Sequence, residues 1–132
     1  MESFFNFVLK IKINMKNIIF HLSSCNTCQR IIGELENLNG IELQNVKETH
    51  ISAKELDFAM KKEGSYEALF NKRAMKFRSM GLNNEELTEK EWRKHILSEY
   101  TFLKRPLAII NDEVYAGNAK KTVEALKKAI NG

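Results

Sequence analysis

The spacing of apolar positions changes several times along the chain, and each change marks an element. Ile18-Ile19-Phe20 is a continuous apolar run up to His21, the pattern of a short strand buried on both faces. After the polar loop Ser23-Ser24-Cys25, residues Ile31, Ile32, Leu35 and Leu38 recur at helical spacing. They predict a helix that Asn39-Gly40 closes. Residues 41–46 predict a second strand. Ser52 followed by Glu55 is a capping box, Ile51 and Leu56 flank it as a hydrophobic staple, and Glu63-Gly64 ends that helix. Ser65 caps a short turn carrying Leu69 and Phe70. The stretch 71–87 is polar and basic, broken by Gly81 and Asn83-Asn84. Thr88 with Glu91 is a second capping box, opening a helix with Trp92, Ile96, Leu97 and Tyr100 on one face. Beyond Arg105-Pro106, Leu107–Ile110 and Glu113–Ala116 read as strands around a tight Asn111-Asp112 turn. Gly117-Asn118 opens a last helix with Val123, Leu126 and Ile130 turned inward.

This order is a parallel β-α-β half joined to an antiparallel β-β-α half. That is the construction of a thioredoxin-like α/β fold with a mixed four-stranded sheet. The stretch 52–103 then forms an all-helical insert between the halves, and residues 15–132 make one domain. Residues 1–14 read as an N-terminal extension. Residues 9–13 alternate apolar side chains with Lys, which suits a strand, while Met15-Lys16 suits a true start with an upstream-start artefact before it. The extension lacks the leading positive charge and small-residue cleavage site of a signal peptide.

Composition narrows the classes. The 132 residues suffice for one core, and 43% hydrophobic with 29% charged residues is an ordinary globular mix. The net charge of +4 is dispersed, with no basic block interleaved with aromatics, so no direct nucleic-acid ligand is expected. No run approaches the roughly 18 apolar residues of a membrane span. The two cysteines lie in a single C-x-x-C, which cannot be a secreted disulfide framework. A cytoplasmic protein with special cysteines is the expectation.

A C-x-x-C between a strand and a helix start has a chemical logic. The free N–H groups and dipole of the helix favour a thiolate at Cys25, and Cys28, one turn on, is placed to resolve a mixed disulfide. The competing readings are half a zinc site or inert thiols; His21, His50 and His95 show no zinc-finger spacing to the pair. No bound cofactor or metal is expected. Pro106 has no N–H to donate, so it either leaves the strand end open on the C-x-x-C side or merely starts the strand. Arg105 is either a cation beside the thiolate, able to grip an oxyanion, or a surface residue. His21, four residues before Cys25, either shares a proton with the thiol or is structural. Lys72, Arg73, Lys76 and Arg78 are a solvated face or a surface for an acidic partner or anionic substrate.

Ile18–His21 leading to Cys25, the Tyr66-Glu67-Ala68-Leu69-Phe70 segment, Gly81-Leu82 and Leu103-Lys104-Arg105-Pro106-Leu107 together resemble the glutaredoxin-type arsenate reductase (ArsC) family. That family also holds the Spx-type transcriptional regulators. The resemblance spans about residues 16–130. It implies Cys25 as the nucleophile that attacks arsenate, His21 as the histidine that many members carry before it, and Arg105 before a cis proline at Pro106. Further family arginines complete an oxyanion clamp. One follows the Leu-Phe pair, where this chain has Asn71-Lys72-Arg73, two places out of step; the other falls near Gly117, where there is none. Cys28, absent from many arsenate reductases, is more like the Spx-type members.

The expected activity is therefore thiol-disulfide oxidoreduction. Cys25 attacks arsenate or a protein disulfide, Cys28 resolves, and an external thiol system (glutathione with glutaredoxin, or thioredoxin) resets the pair. The rival is an Spx-type redox sensor that binds RNA polymerase, and the third option is a redox-dead binding domain.

Overall fold

The two central strands owe their positions to side chains that are apolar on both faces. In the computed structural model, which describes residues 15–132, β1 (Ile18–His21) and β3 (Leu107–Ile110) pair antiparallel in the middle of the sheet. β2 (Glu42–Asn45) lies parallel to β1 on one edge, and β4 (Glu113–Ala116) antiparallel to β3 on the other. The order is β2-β1-β3-β4, the mixed four-stranded sheet of a thioredoxin-like fold. The alternating stretch of residues 9–13 and the extension it belongs to lie outside the described residues.

Ile19, Ala108 and Ile110 face the helices α1 (Asn26–Gly33) and α5 (Lys120–Asn131), packing with Ile31, Leu35, Val123 and Leu126. Ile18, Phe20, Leu107 and Ile109 face the insert, where Leu56, Leu69, Ile96 and Phe102 form the larger core. A strand covered on both faces must be apolar throughout, hence the uninterrupted runs.

The insert contains α2 (Ala53–Glu63), the short α3 (Met75–Ser79) and α4 (Glu89–Ser98), joined by 3-10 turns. Both capping boxes form at Ser52/Glu55 and Thr88/Glu91. Asp57 takes Arg93 Nε at 2.8 Å and Nη2 at 3.2 Å, clamping α2 to α4. An isolated bridge, Phe70 to Leu103, ties the insert to the approach of β3, with Asn71 N–H on the Phe102 carbonyl and Lys104 N–H on the Leu69 carbonyl, both at 2.8 Å.

Four boundaries differ from the sequence expectation. The first helix stops at Gly33 rather than at Asn39-Gly40. Glycine is a weak helix former, and Asn131 from α5 accepts the Glu36 N–H at 2.7 Å, holding the chain in its new path. Leu35 and Leu38 still pack on the same core. The helix after Thr88 stops at Ser98, so Tyr100 is not on it. Glu99 turns extended, its carboxylate accepts the Thr101 N–H and hydroxyl, and Tyr100–Phe102 is a 3-10 turn. The polar stretch 71–87 contains α3, anchored by Phe77 against Phe70, with ring centroids 5.3 Å apart. The last helix opens at Lys120 instead of Gly117-Asn118, because Gly117, at φ 91°, gives its N–H to the Pro106 carbonyl. The Asn111-Asp112 turn has φ 51° and 64°, the left-handed pair that a tight hairpin needs.

Candidate functional site

Cys25 sits where β1 delivers the chain to α1. Its N–H is bonded to the Leu22 carbonyl at 2.9 Å, which holds the loop tight. Its backbone is extended, as an N-cap requires, and its Sγ accepts the Cys28 N–H at 3.4 Å. A sulfur thus does the work that an oxygen does in an ordinary cap. Cys25 is half-buried and Cys28 fully buried, and both are free thiols.

The two thiols are driven apart electrostatically. Burial pushes Cys25 up, but the Cys28 N–H, the Cys28 thiol, the Arg105 charge and the Thr27 N–H outweigh it and hold Cys25 below its ordinary value. Burial, with the hydrogen bond and charge of Cys25 behind it, raises Cys28 to about 11 against the opposing pull of a backbone hydrogen bond at Leu22 and of Arg105. A thiolate therefore forms at Cys25 first, and Cys28 stays protonated.

The Arg105-Pro106 peptide is cis and leads straight into β3. Arg105 Nη1 donates to the carbonyls of Thr101 and Leu103, each at 3.1 Å, while its buried Nε has no partner. Arg105 and Cys25 both line a groove of about 1090 Å³ between α1, α3 and the loops before β3 and after β4. Asn71, Lys72 and Arg73 line it too. Asn71 Nδ2 donates to the Thr101 carbonyl at 3.2 Å. Lys72 is held by Glu67 at 2.6 Å and lies 5.4 Å from the centroid of the Trp92 ring.

His21 is not in the groove lining. Its ring contacts Gln29 Nε2 at 3.3 Å, and burial lowers its pKa, partly offset by Glu48. His50 and His95 pack against Tyr100 and Phe102 instead. Among the described residues no group of three or more His, Cys, Asp or Glu side chains is placed to hold a metal ion. No helix among them is long and apolar enough to cross a membrane.

Sequence reasoning missed Lys104, Thr101 and Glu99. Lys104 lies against Gly117, where a Cβ would stand 2.9 Å from its Cδ. Its place beside Arg105-Pro106 was the available signal. Thr101 acts through its carbonyl, which no side-chain pattern reveals.

A mixed sheet with a C-x-x-C capping the first helix and a cis proline entering the third strand defines the thioredoxin-fold class. The ArsC family model matches residues 20–126, and the chain belongs to the ArsC family. Among solved structures, an ArsC-family-related protein of Bacteroides fragilis is 22% identical at a TM-score of 0.73, covering 86% of this chain and 100% of that one. An arsenate reductase of Vibrio cholerae is 17% identical at 0.69, covering 86% and 98%. An arsenate reductase (ArsC) related protein of Brucella melitensis is 22% identical at 0.61, covering 85% and 94%. At these identities the likeness is one of fold. Among curated proteins none matches the chain.

Proposed function

We propose that the protein is a dithiol reductase in which Cys25 attacks an oxidised substrate and Cys28 resolves the adduct. The observation that carries this reading is the Cys25 Sγ at the cap of α1, accepting the Cys28 N–H in a groove shared with Arg105. With a disulfide substrate, the Cys25 thiolate forms a bond to one sulfur and the other leaves with the electron pair. Cys28 then loses its proton, attacks Cys25 Sγ and expels the substrate thiolate. The protein ends as the Cys25–Cys28 disulfide, two electrons poorer. With arsenate, the Cys25 thiolate displaces one oxygen as water, and attack by Cys28 on Cys25 Sγ sends the electron pair to arsenic, releasing arsenite. In both cases an external dithiol of the thioredoxin or glutaredoxin kind resets the pair. Arg105 stabilises the Cys25 thiolate and, with Arg73 and Asn71, the incoming anion. His21 orients the end of β1 through Gln29. Thiols poised this way suit a reducing compartment, and the cytoplasm is the proposed location.

The test supplies arsenate, and separately a protein disulfide, with glutathione, glutaredoxin or thioredoxin added one at a time. Turnover of either substrate that Cys25→Ser abolishes supports the reading. If neither substrate is turned over while the Cys25–Cys28 disulfide still forms, the pair is a sensor and the enzyme reading fails.

A further inference from the structure

The groove is far larger than the reaction needs. At about 1090 Å³ it exceeds the roughly 300–1,000 Å³ of a pocket for a drug-sized ligand, whereas a tetrahedral oxyanion needs only a small fraction of that space. Its lining runs from Cys25 at the cap of α1 and Thr27 in its first turn to Met75 and Lys76 on α3, more wall than one small anion can touch.

Its charge is one-sided. Five cationic side chains and two carboxylates line it. Both carboxylates are taken, Glu67 by Lys72 and Glu99 by Lys76, each at 2.6 Å. Arg73, Lys104 and Arg105 have no carboxylate partner among the described residues. Lys104 keeps its place because Gly117 has no side chain to displace it. In the same wall Met75 is 89% exposed, an adaptable apolar side chain standing in solvent between Arg73 and Lys76 in sequence. A lone anion would satisfy the cations but leave Met75 bare. A peptide segment carrying acidic and apolar side chains covers both.

We propose that this groove docks an acidic segment of a partner protein and presents that segment's disulfide to Cys25. The proposal rests on the dithiol reading above and names its substrate class. Docking by charge raises the encounter rate, and the methionine adds contact without demanding a fixed shape.

The experiment uses the full-length protein and three peptides of equal length, acidic, neutral and basic. Each has one cysteine in a mixed disulfide with thionitrobenzoate and an apolar residue nearby. The Cys25 thiolate bonds to the peptide sulfur, and thionitrobenzoate leaves as a coloured thiolate with the electron pair. Cys28 then releases the peptide thiol. The acidic peptide should react about tenfold faster than the basic one at low salt, with the ratio shrinking as salt rises. Arg73→Glu should invert the order. Met75→Gln should slow the acidic peptide severalfold and leave the salt dependence unchanged. Hydroxyethyl disulfide, small and uncharged, reports on Cys25 alone. If it reacts and the three peptides react equally, the docking proposal is overturned while the dithiol reading stands. If even hydroxyethyl disulfide fails to react, both fall. A nucleic-acid oligonucleotide that abolishes the acidic preference at equimolar amounts would make the groove a general polyanion site and would also overturn the proposal.

Discussion

Asn71 and Arg105 donate to the same acceptor: the Thr101 carbonyl oxygen lies 3.2 Å from Asn71 Nδ2 and 3.1 Å from Arg105 Nη1. The insert and the entry to β3 therefore share one atom, on a residue that itself lines the groove. This sets Arg105 in a position it could not hold from its own backbone alone. Arg105→Ala removes a cation that lowers the Cys25 pKa, so that pKa should rise and alkylation at pH 6 should slow severalfold. Arg105→Lys keeps the charge and most of the thiol reactivity but loses the planar fork, so anion-dependent turnover should fall. Asn71→Ala should cost about 1 kcal/mol through its lost hydrogen bond and shift the Cys25 titration in the same direction, but less. Iodoacetamide rates against pH in a Cys28→Ser background measure all three. An unchanged titration in Arg105→Ala would leave Arg105 only the structural role of holding the Thr101 and Leu103 carbonyls.

The two capping boxes give a cleaner stability test. Ser52 and Thr88 each accept the N–H of the third helical residue, Glu55 and Glu91, which answers with its carboxylate. Ser52→Ala and Thr88→Ala should each lower unfolding stability by about 1 kcal/mol, and the double variant by about the sum if the two helices unfold with the same domain. Urea denaturation reads this directly. A double variant no weaker than the singles would mean that one helix is already frayed.

What the sequence could tell follows from what kind of force sets each feature. Both capping boxes, the left-handed Asn111-Asp112 turn and the strand runs around Phe20 and Ile109 are set by local chemistry or by simple burial, and they were legible. So was the Cys25 cap. The early stop of α1 at Gly33 was not, because the apolar spacing of Leu35 and Leu38 continues past it. Packing keeps that spacing useful while Asn131, 95 residues away from Glu36, takes over the backbone. Asn71, Lys72 and Arg73 were legible as candidate anion-binding residues through the family resemblance, but not from spacing. The contacts that bring their segment beside Cys25, the Phe70–Leu103 bridge and the Asn71–Thr101 bond, span about 30 residues of chain. Lys104 escaped because its meaning lies in the absence of a side chain at Gly117.

That absence can be tested by filling it. Gly117 has φ 91°, a region that costs an L-residue about 1–2 kcal/mol, and a Cβ there would meet Lys104 Cδ at 2.9 Å and Cγ at 3.3 Å. Gly117→Ala should therefore destabilise by about that amount, with only a small steric addition because the lysine stem can swing away. In swinging, it should carry the ammonium out of the groove. Lys104→Ala should consequently weaken anion-dependent turnover in wild type yet change little in the Gly117→Ala background, a coupling that a double-variant cycle measures. Additive effects would separate Lys104 from Gly117.

The buried thiol makes a prediction in alkaline solution. Between pH 9 and 11 Cys28 ionises in the unfolded chain but stays protonated in the native one, where burial and Cys25 raise it to about 11. The native state then binds more protons than the unfolded state, so stability falls as pH rises, by at most about 1.4 kcal/mol per pH unit for one proton. Cys25 works in the opposite sense. Its native pKa is depressed, so it contributes stability that grows as pH rises through the native value and is complete above the unfolded one. Comparing wild type with Cys28→Ser, both kept reduced, isolates the buried thiol from the lysines and tyrosines that titrate in the same range. The wild-type stability relative to that variant should drop by about 2 kcal/mol between pH 9 and 11. A flat difference would mean that Cys28 ionises as readily in the fold as out of it, and the division of labour between the two cysteines would have to be given up.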